Sequence, residues 1–227
     1  MYNNAAEYED QRLKRTPIHE LEFALTTDYL DKYIQSNSIV LDLGAGTGIY
    51  SEYLINTKNC KMGLIDISEQ ELNLFKKKNP NYKNDTVFVK VKSATELSDI
   101  KDNSFDSILV FGPLYHLTSN EERNCVLNHC YRLLKPNGYI ICSYISPHRV
   151  YKDILNEGIN KITDDTFLEN LKNGITYHTC EGSTAVQYRC WPSTAKEELR
   201  NIGFKIEKCR SLRSEERRVG KECRSRW

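Results

Sequence analysis

Three glycines at every second position close the run Val40-Leu41-Asp42-Leu43-Gly44-Ala45-Gly46-Thr47-Gly48. Glycine reaches backbone angles closed to other residues and has no Cβ to hold a ligand away. Alternating glycines after a strand let the main chain pass close beneath a bound molecule. A second acidic residue, Asp66, ends another apolar run, Met62-Gly63-Leu64-Ile65. A carboxylate about 20 residues beyond a glycine loop sits where a ribose would lie. It suits a sugar diol because it is acceptor-only, with two oxygens. The two features together predict a crevice for an adenosine-containing cofactor.

The elements that position these residues are legible from periodicity. Residues 1–37 read as helical, with an apolar stripe through Leu21, Phe23, Leu25, Tyr29, Leu30 and Ile34. Pro17 opens the second helix, at a position that needs no amide donor. Strands are predicted over 39–42, 62–66, 87–91, 105–111 and 139–145, with helices over 48–55, 68–78 and 121–134 between them. Ser68 followed by Glu71 fits a capping box. Lys135-Pro136-Asn137-Gly138 reads as a turn. His129 and Cys130 on the long helix read as structural. Strands alternating with helices imply a parallel sheet with crossover helices. Residues 147–192 break the rhythm, and 175–179 with 185–189 predict a hairpin. A helix over 194–201 and a sixth strand from Gly203 follow.

The chain has 227 residues, 28% charged and 39% hydrophobic, a soluble-domain composition. No apolar run approaches the roughly 18 residues of a membrane span. Met1-Tyr2-Asn3-Asn4 opens no secretory signal, so the cytoplasm is expected. Eight cysteines without a Cys-x-x-Cys pair are expected to be free thiols. Cys180 and Cys190 could face each other across the hairpin. No metal-ligand cluster appears, and no metal is expected.

Residues 213–227, Arg-Ser-Glu-Glu-Arg-Arg-Val-Gly-Lys-Glu-Cys-Arg-Ser-Arg-Trp, resemble the translation of a sequencing-library adapter. On that reading they lie outside the fold and are expected to be disordered. The alternative is a basic tail for nucleic acid or membrane. Its six basic and three acidic residues leave the rest of the chain at −2, against +1 for the whole. No nucleic-acid or membrane partner is expected.

Taken together, the chain resembles the class I S-adenosylmethionine-dependent methyltransferases. Asp42-x-Gly44-x-Gly46-x-Gly48, Asp66, Phe105-Asp106, Leu134-Lys135-Pro136-Asn137-Gly138 and Gly203-Phe204 carry the resemblance. Gly112-Pro113-Leu114-Tyr115-His116-Leu117 is similar to a segment of small bacterial members. The resemblance implies an α/β, Rossmann-like, doubly wound and mostly parallel sheet with helices on both faces. It implies an N-terminal helical lid over 1–37, a core over 38–212 and an acceptor-shaping insert over 147–192. That insert carries Tyr151, Tyr177, His178, Tyr188 and Trp191. The seventh, antiparallel strand of such folds is expected to be missing, because the adapter-like segment begins where it would start.

The resemblance also assigns roles. Gly44, Ala45 and Gly46 lie under the methionine of S-adenosylmethionine, and Asp42 lies near its ammonium or braces the loop. Asp66 takes the ribose hydroxyls. Ile67 packs on the adenine face or in the core. An acidic residue is usual after the third strand; here Ser93 and Ala94 stand in for it. Main chain at Phe111 and Gly112 contacts the methionine end, and Tyr8 folds over the cofactor. Tyr115 and His116 reach the acceptor, and His116 is a candidate general base because its ordinary pKa lies near neutrality. The implied reaction is methyl transfer to a heteroatom of a small molecule by a monomer or homodimer. Two rivals stand: a non-catalytic cofactor-binding relative, and a nicotinamide-dependent oxidoreductase. The latter's third glycine would fall at Ile49.

Overall fold

The computed structural model describes residues 3–148, 172–180, 183–213 and 217–225. Two helices lead: α1 (Asn3–Arg12) and α2 (Pro17–Tyr33). The Thr16 hydroxyl caps α2 by accepting from the His19 amide, and Pro17 takes the first turn. The alternating section follows as β1 (Ile39–Leu43), α3 (Ile49–Lys58), β2 (Lys61–Asp66), α4 (Glu69–Lys78), α5 (Tyr82–Asp85), β3 (Thr86–Val91) and β4 (Phe105–Val110). Then come α6 (Pro113–His116), α7 (Asn120–Leu133) and β5 (Leu134–Ile145). A hairpin of β6 (Ile175–Cys180) and β7 (Ser183–Tyr188) precedes α8 (Pro192–Ile202), β8 (Phe204–Arg213) and β9 (Arg217–Ser225).

The sheet order is β3-β2-β1-β4-β5-β9-β8. The first five strands run parallel. Successive strand residues point to opposite faces, and both faces are covered. Leu41, Leu43, Ile65, Ile108 and Val110 meet Val126, Leu127 and Leu133 of α7 on one side. Val40, Met62, Leu64 and Leu109 meet Leu30 of α2, Leu54 of α3 and Leu72 and Phe75 of α4 on the other. Burial on both faces explains why these strands are continuous apolar runs rather than alternating ones.

The expected turn at 135–138 is instead an interruption within β5. Phe105 pairs with Leu134 and Ser107 with Tyr139, so β5 carries three more residues than β4 across that interval. Asn137 takes a positive φ of 64° there. Asp106 holds the corner together. It accepts from the Ile39 amide at 2.9 Å and from Lys135 Nζ at 2.8 Å. The Phe105-Asp106 and Lys135-to-Gly138 motifs are therefore joints of the sheet.

The missing seventh strand is corrected by the structure. Arg217–Ser225 runs antiparallel to both β5 and β8 and sits between them. Pairing is made by main-chain amides and carbonyls, so a gap one strand wide accepts an extended segment whatever its side chains. The segment's charged composition concealed this.

Residues 149–171, with Tyr151, lie outside the described residues. The hairpin register sets Cys180 opposite Ser183, which corrects the idea that Cys180 faces Cys190 across the hairpin. Cys60, Cys130, Cys142 and Cys190 are buried free thiols. Among the described residues no helix is long and apolar enough to cross a membrane, and no group of side chains is arranged to hold a metal.

Candidate functional site

The carboxyl ends of β1, β2 and β4 open into one cleft of about 810 Å³. Open α/β sheets bind ligands at this edge. The glycine loop forms its floor. The Gly44 and Ala45 amides both donate to the Ile65 carbonyl, at 2.8 and 3.0 Å, which folds the loop back over β2. Gly44 has φ +76°, and a Cβ there would lie 2.5 Å from Pro113 Cδ. Gly48 has φ +73°, and a Cβ there would lie 2.4 Å from the Phe75 ring. The loop is thus clamped between α4 and the start of α6. Only residues without a Cβ fit both the angles and the space.

Asp66 reaches both ways from the end of β2. Its Oδ2 accepts from the Gly46 amide and its Oδ1 from the Ser68 amide, each at 2.8 Å. A carboxylate has about four acceptor sites, so two remain for a ligand. Asp42 lies behind the loop and is 3% exposed. Ser51 of α3 donates to it at 2.6 Å. Burial raises the Asp42 carboxyl to about 7; the Ser51 bond opposes the rise and the Asp66 charge adds to it.

The other expected cofactor residues gather here too. Ala45, Ile67, Ser93, Ala94, Phe111 and Gly112 all line the cleft. Ile67 is 76% exposed, which removes the alternative that it is core. The Ser93 hydroxyl is 2.7 Å from that of Thr95 and accepts from the Thr95 amide at 3.2 Å. Tyr115 and His116 stand on the short α6, with ring centres 4.7 Å apart. Both line the cleft, Tyr115 buried and His116 exposed.

Tyr8 departs from expectation. It is not part of the cleft lining; its ring is half exposed beneath the Arg15 guanidinium, 3.4 Å from the ring centre. The face of α1 that meets the cleft is Glu9, Arg12 and Leu13. A shift of one residue turns a helical side chain by about 100°, and the sequence stripe did not resolve it. Tyr188 also turns inward. It is buried, donates to Glu198 at 3.0 Å and lies under the Arg123 guanidinium. Its neighbour Gln187 reaches the cleft instead. Trp191 packs edge-on against His148, and the side chains of Tyr177 and His178 lie outside the described residues.

Sequence reasoning assigned Glu71 to the helix cap, and the structure gives it half of that role. Its amide donates to the Ser68 hydroxyl at 3.3 Å. The reciprocal bond to the Ser68 amide is made by Asp66 rather than by the Glu71 carboxylate. Glu71 is left to line the cleft, its Oε2 3.0 Å from the place a Gly46 Cβ would take. Burial, then Asp66, then Glu9 raise its carboxyl to about 7. The only sequence signal was a carboxylate five residues beyond Asp66.

As expected, Cys130 and His129 are structural. Cys130 is fully buried, and His129 Nε2 lies 3.2 Å from the Thr95 carbonyl. Arg123 was missed. It donates to the Leu117 and Thr118 carbonyls just past α6, at 3.0 and 2.9 Å. It also meets Glu198 of α8 at 2.9 Å. Arg123 therefore ties the loop after α6 to α8.

Comparison with known proteins gives concordant results. Residues 40–138 match the family described as Methyltransferase domain. An uncharacterised methyltransferase-like protein of Schizosaccharomyces pombe is 32% identical over 114 residues, which is 50% of this chain and 40% of that protein. Sarcosine/dimethylglycine N-methyltransferase of Halorhodospira halochloris is 26% identical over 77% of this chain and 54% of its own length. The chain thus spans about half or less of these relatives. The crystal structure of Burkholderia thailandensis 1,6-didemethyltoxoflavin-N1-methyltransferase superposes with a TM-score of 0.67 at 16% identity, over 99% of this chain and 87% of that one. That likeness is one of fold.

Proposed function

We propose that this chain, whose residues 40–138 match a methyltransferase domain, is a class I S-adenosylmethionine-dependent methyltransferase and methylates a small-molecule acceptor. One observation carries the reading: Asp66, the glycine floor and the α6 side chains face a single continuous cleft. Its volume of about 810 Å³ lies in the range of small-molecule sites. The relatives named for sarcosine/dimethylglycine and for 1,6-didemethyltoxoflavin point to acceptors of the same class.

The residues present fit S-adenosylmethionine. Gly44, Ala45 and Gly46 line the floor of the cleft, where a cofactor can lie close to main chain. The two unused acceptor sites of Asp66 suit the ribose diol. Exposed Ile67 offers an apolar face to adenine, and Ser93 and Ala94 offer polar atoms at its edge. Asp42, buried and partly protonated, accepts from the methionine ammonium directly or through the loop it braces. Main chain at Phe111 and Gly112 lines the methionine end.

The bound cofactor supplies an already electrophilic methyl group. The chain's task is to orient the acceptor and keep water out, which is catalysis by proximity. Tyr115 and His116 hold the acceptor from α6, with Gln187 of β7 beside them in the cleft. His116 takes up the acceptor proton where one must leave. Gly48 precedes Ile49 where a nicotinamide-type loop has its third glycine, which disfavours the oxidoreductase. We further propose that the protein acts in the cytoplasm, as a monomer or homodimer, without nucleic acid.

Titration calorimetry with S-adenosylmethionine and NADH, then a product screen with methyl-labelled cofactor against cell metabolites, tests the reading. Micromolar binding of the former and a labelled small molecule are expected. Binding of NADH alone, or cofactor binding with no labelled product, would overturn it.

A further inference from the structure

We infer that Glu71 selects for the positive charge of the methyl-bearing cofactor, and so favours S-adenosylmethionine over its demethylated product. The inference deepens the proposed function and rests on it. It starts from the displaced capping role. Asp66 serves the Ser68 amide, so the Glu71 carboxylate makes no side-chain hydrogen bond or ion pair among the described residues. It rests instead against Gly46, the loop residue assigned to the methionine end of the cofactor.

Its surroundings are anionic. Asp66 at the end of β2 and Glu9 on α1 both act on it electrostatically, and Asp42 at the end of β1 lies in the same cleft. The nearby cations are engaged elsewhere. Arg12 is held by Glu9 at 2.5 Å and by Glu22 at 3.6 Å. Lys78, further along α4, pairs with Asp10 of α1, and with Glu52 of α3 at 3.3 Å. Lys90 and Lys92, on and just after β3, both pair with Asp99. A carboxylate held among carboxylates stays partly protonated until a cation arrives.

The two ligands differ in this respect. The cofactor carries a sulfonium charge that its product lacks, while the ribose, adenine, ammonium and carboxylate are common to both. An ionised carboxylate within several ångströms of that charge, at the effective dielectric of a protein cleft, supports roughly a tenfold preference. Binding the sulfonium form drives Glu71 to ionise, and its proton goes to the buffer. Binding the product drives this less. Above about pH 7 the carboxylate is charged and the preference is full; below it, the preference fades. The product, which lacks the sulfonium charge, loses that attraction and leaves more readily.

The test is calorimetric. Affinities for S-adenosylmethionine and S-adenosylhomocysteine are measured at pH 5.5 and 7.5 for the full chain and for Glu71→Gln. The α-amino group is common to both ligands, so its titration, about 7.7 to 8.0, largely cancels in the ratio of the two affinities. Expected is a preference for the methylated form that is about tenfold lower in E71Q at pH 7.5, with little further change at pH 5.5. A preference within twofold of wild type, with the same pH dependence, would overturn the inference. The wild-type chain gives a second readout, in two buffers of different ionisation enthalpy at pH 7. More protons should leave on binding the methylated form than on binding the product. Equal release would also overturn the inference. Failure of the wild type to bind either ligand would instead remove the proposed function itself.

Discussion

The Gly46 amide donates to Asp66 Oδ2 at 2.8 Å, across twenty residues of sequence. The glycine loop and the carboxylate are thus one physical unit. Asp66 shapes the floor with one oxygen edge and is left with acceptor capacity toward the cleft. Replacing it with alanine removes the brace and the ligand contact together. Asp66→Ala is expected to weaken S-adenosylmethionine binding by at least about tenfold, given that hydrogen bonds to charged groups contribute about 1.5–3 kcal/mol. Calorimetry measures this directly, and unchanged affinity would refute the assignment of the diol.

The glycines separate into those that need to be glycine and those that do not. Gly44 has φ +76° and Pro113 Cδ 2.5 Å from its would-be Cβ. Gly112 has φ −123°, and its would-be Cβ has Gly44 O at an ordinary 3.7 Å. Gly44→Ala is expected to destabilise the fold by about 2–4 kcal/mol, from backbone strain plus overpacking. Gly112→Ala is expected to cost less than about 1 kcal/mol. Urea denaturation of the two variants decides; equal midpoints would show that the clamp on the loop is loose.

The ligand-free protein is predicted to gain stability as pH falls from about 7 toward 5. Asp42 and Glu71 both have carboxyls raised to about 7 in the folded state, above their ordinary values of 3.8 and 4.5. A group with a raised folded pKa binds its proton more tightly when folded. Its stabilising effect is complete below the unfolded pKa and lost as pH rises through the folded one. His129 opposes this at the acid end, since burial lowers its pKa below 6.5. Thermal melts across this range test the sign. Asp42→Asn and Glu71→Gln together should flatten the slope, and an unaltered slope would place its origin elsewhere.

Arg123 and Glu198 are both nearly fully buried and meet at 2.9 Å. Arg123→Met strands the Glu198 carboxylate and releases the Leu117 and Thr118 carbonyls. A loss of about 3–5 kcal/mol is expected. Adding Glu198→Leu should restore part of it, because the uncompensated charge is then gone. A double variant as unstable as the sum of the singles would show that the two residues act independently.

The strand at Arg217–Ser225 gives a prediction about the edge of the sheet. Deleting residues 213–227 leaves β5 and β8 with unpaired amides facing each other across an empty strand position. The shortened chain is expected to melt several degrees lower and to self-associate. Hydrogen exchange provides the check: residues 139–145 should be protected in the full chain and exchange faster in the deletion. Equal exchange in both would mean that the tail does not pair.

The parallel strands, their order of appearance and the helices between them were readable because each is a local pattern. Residues 39–43 and 61–66 are apolar runs too short for helices and end in loop residues. Ser68 announced α4, and Pro17 announced α2. Tyr8, Tyr188 and Glu71 were misplaced for a common reason. Which face of an element meets the cleft depends on what packs against it, and neighbours distant in sequence settle that. Tyr188 faces Arg123 and Glu198, and Glu71 is displaced by Asp66.

The sequence by itself determined that a glycine loop ends β1 and a carboxylate ends β2. Those positions follow from backbone sterics and strand length, which act within a few residues. Only the tertiary structure decided that Asp66 would serve the Ser68 amide and leave Glu71 to the cleft. It alone decided that Arg123 would hold the loop after α6, and that a charged segment would fill the gap between β5 and β8. Each of these is a contest between groups far apart in the chain for the same hydrogen-bonding position, and folding brings the contestants together.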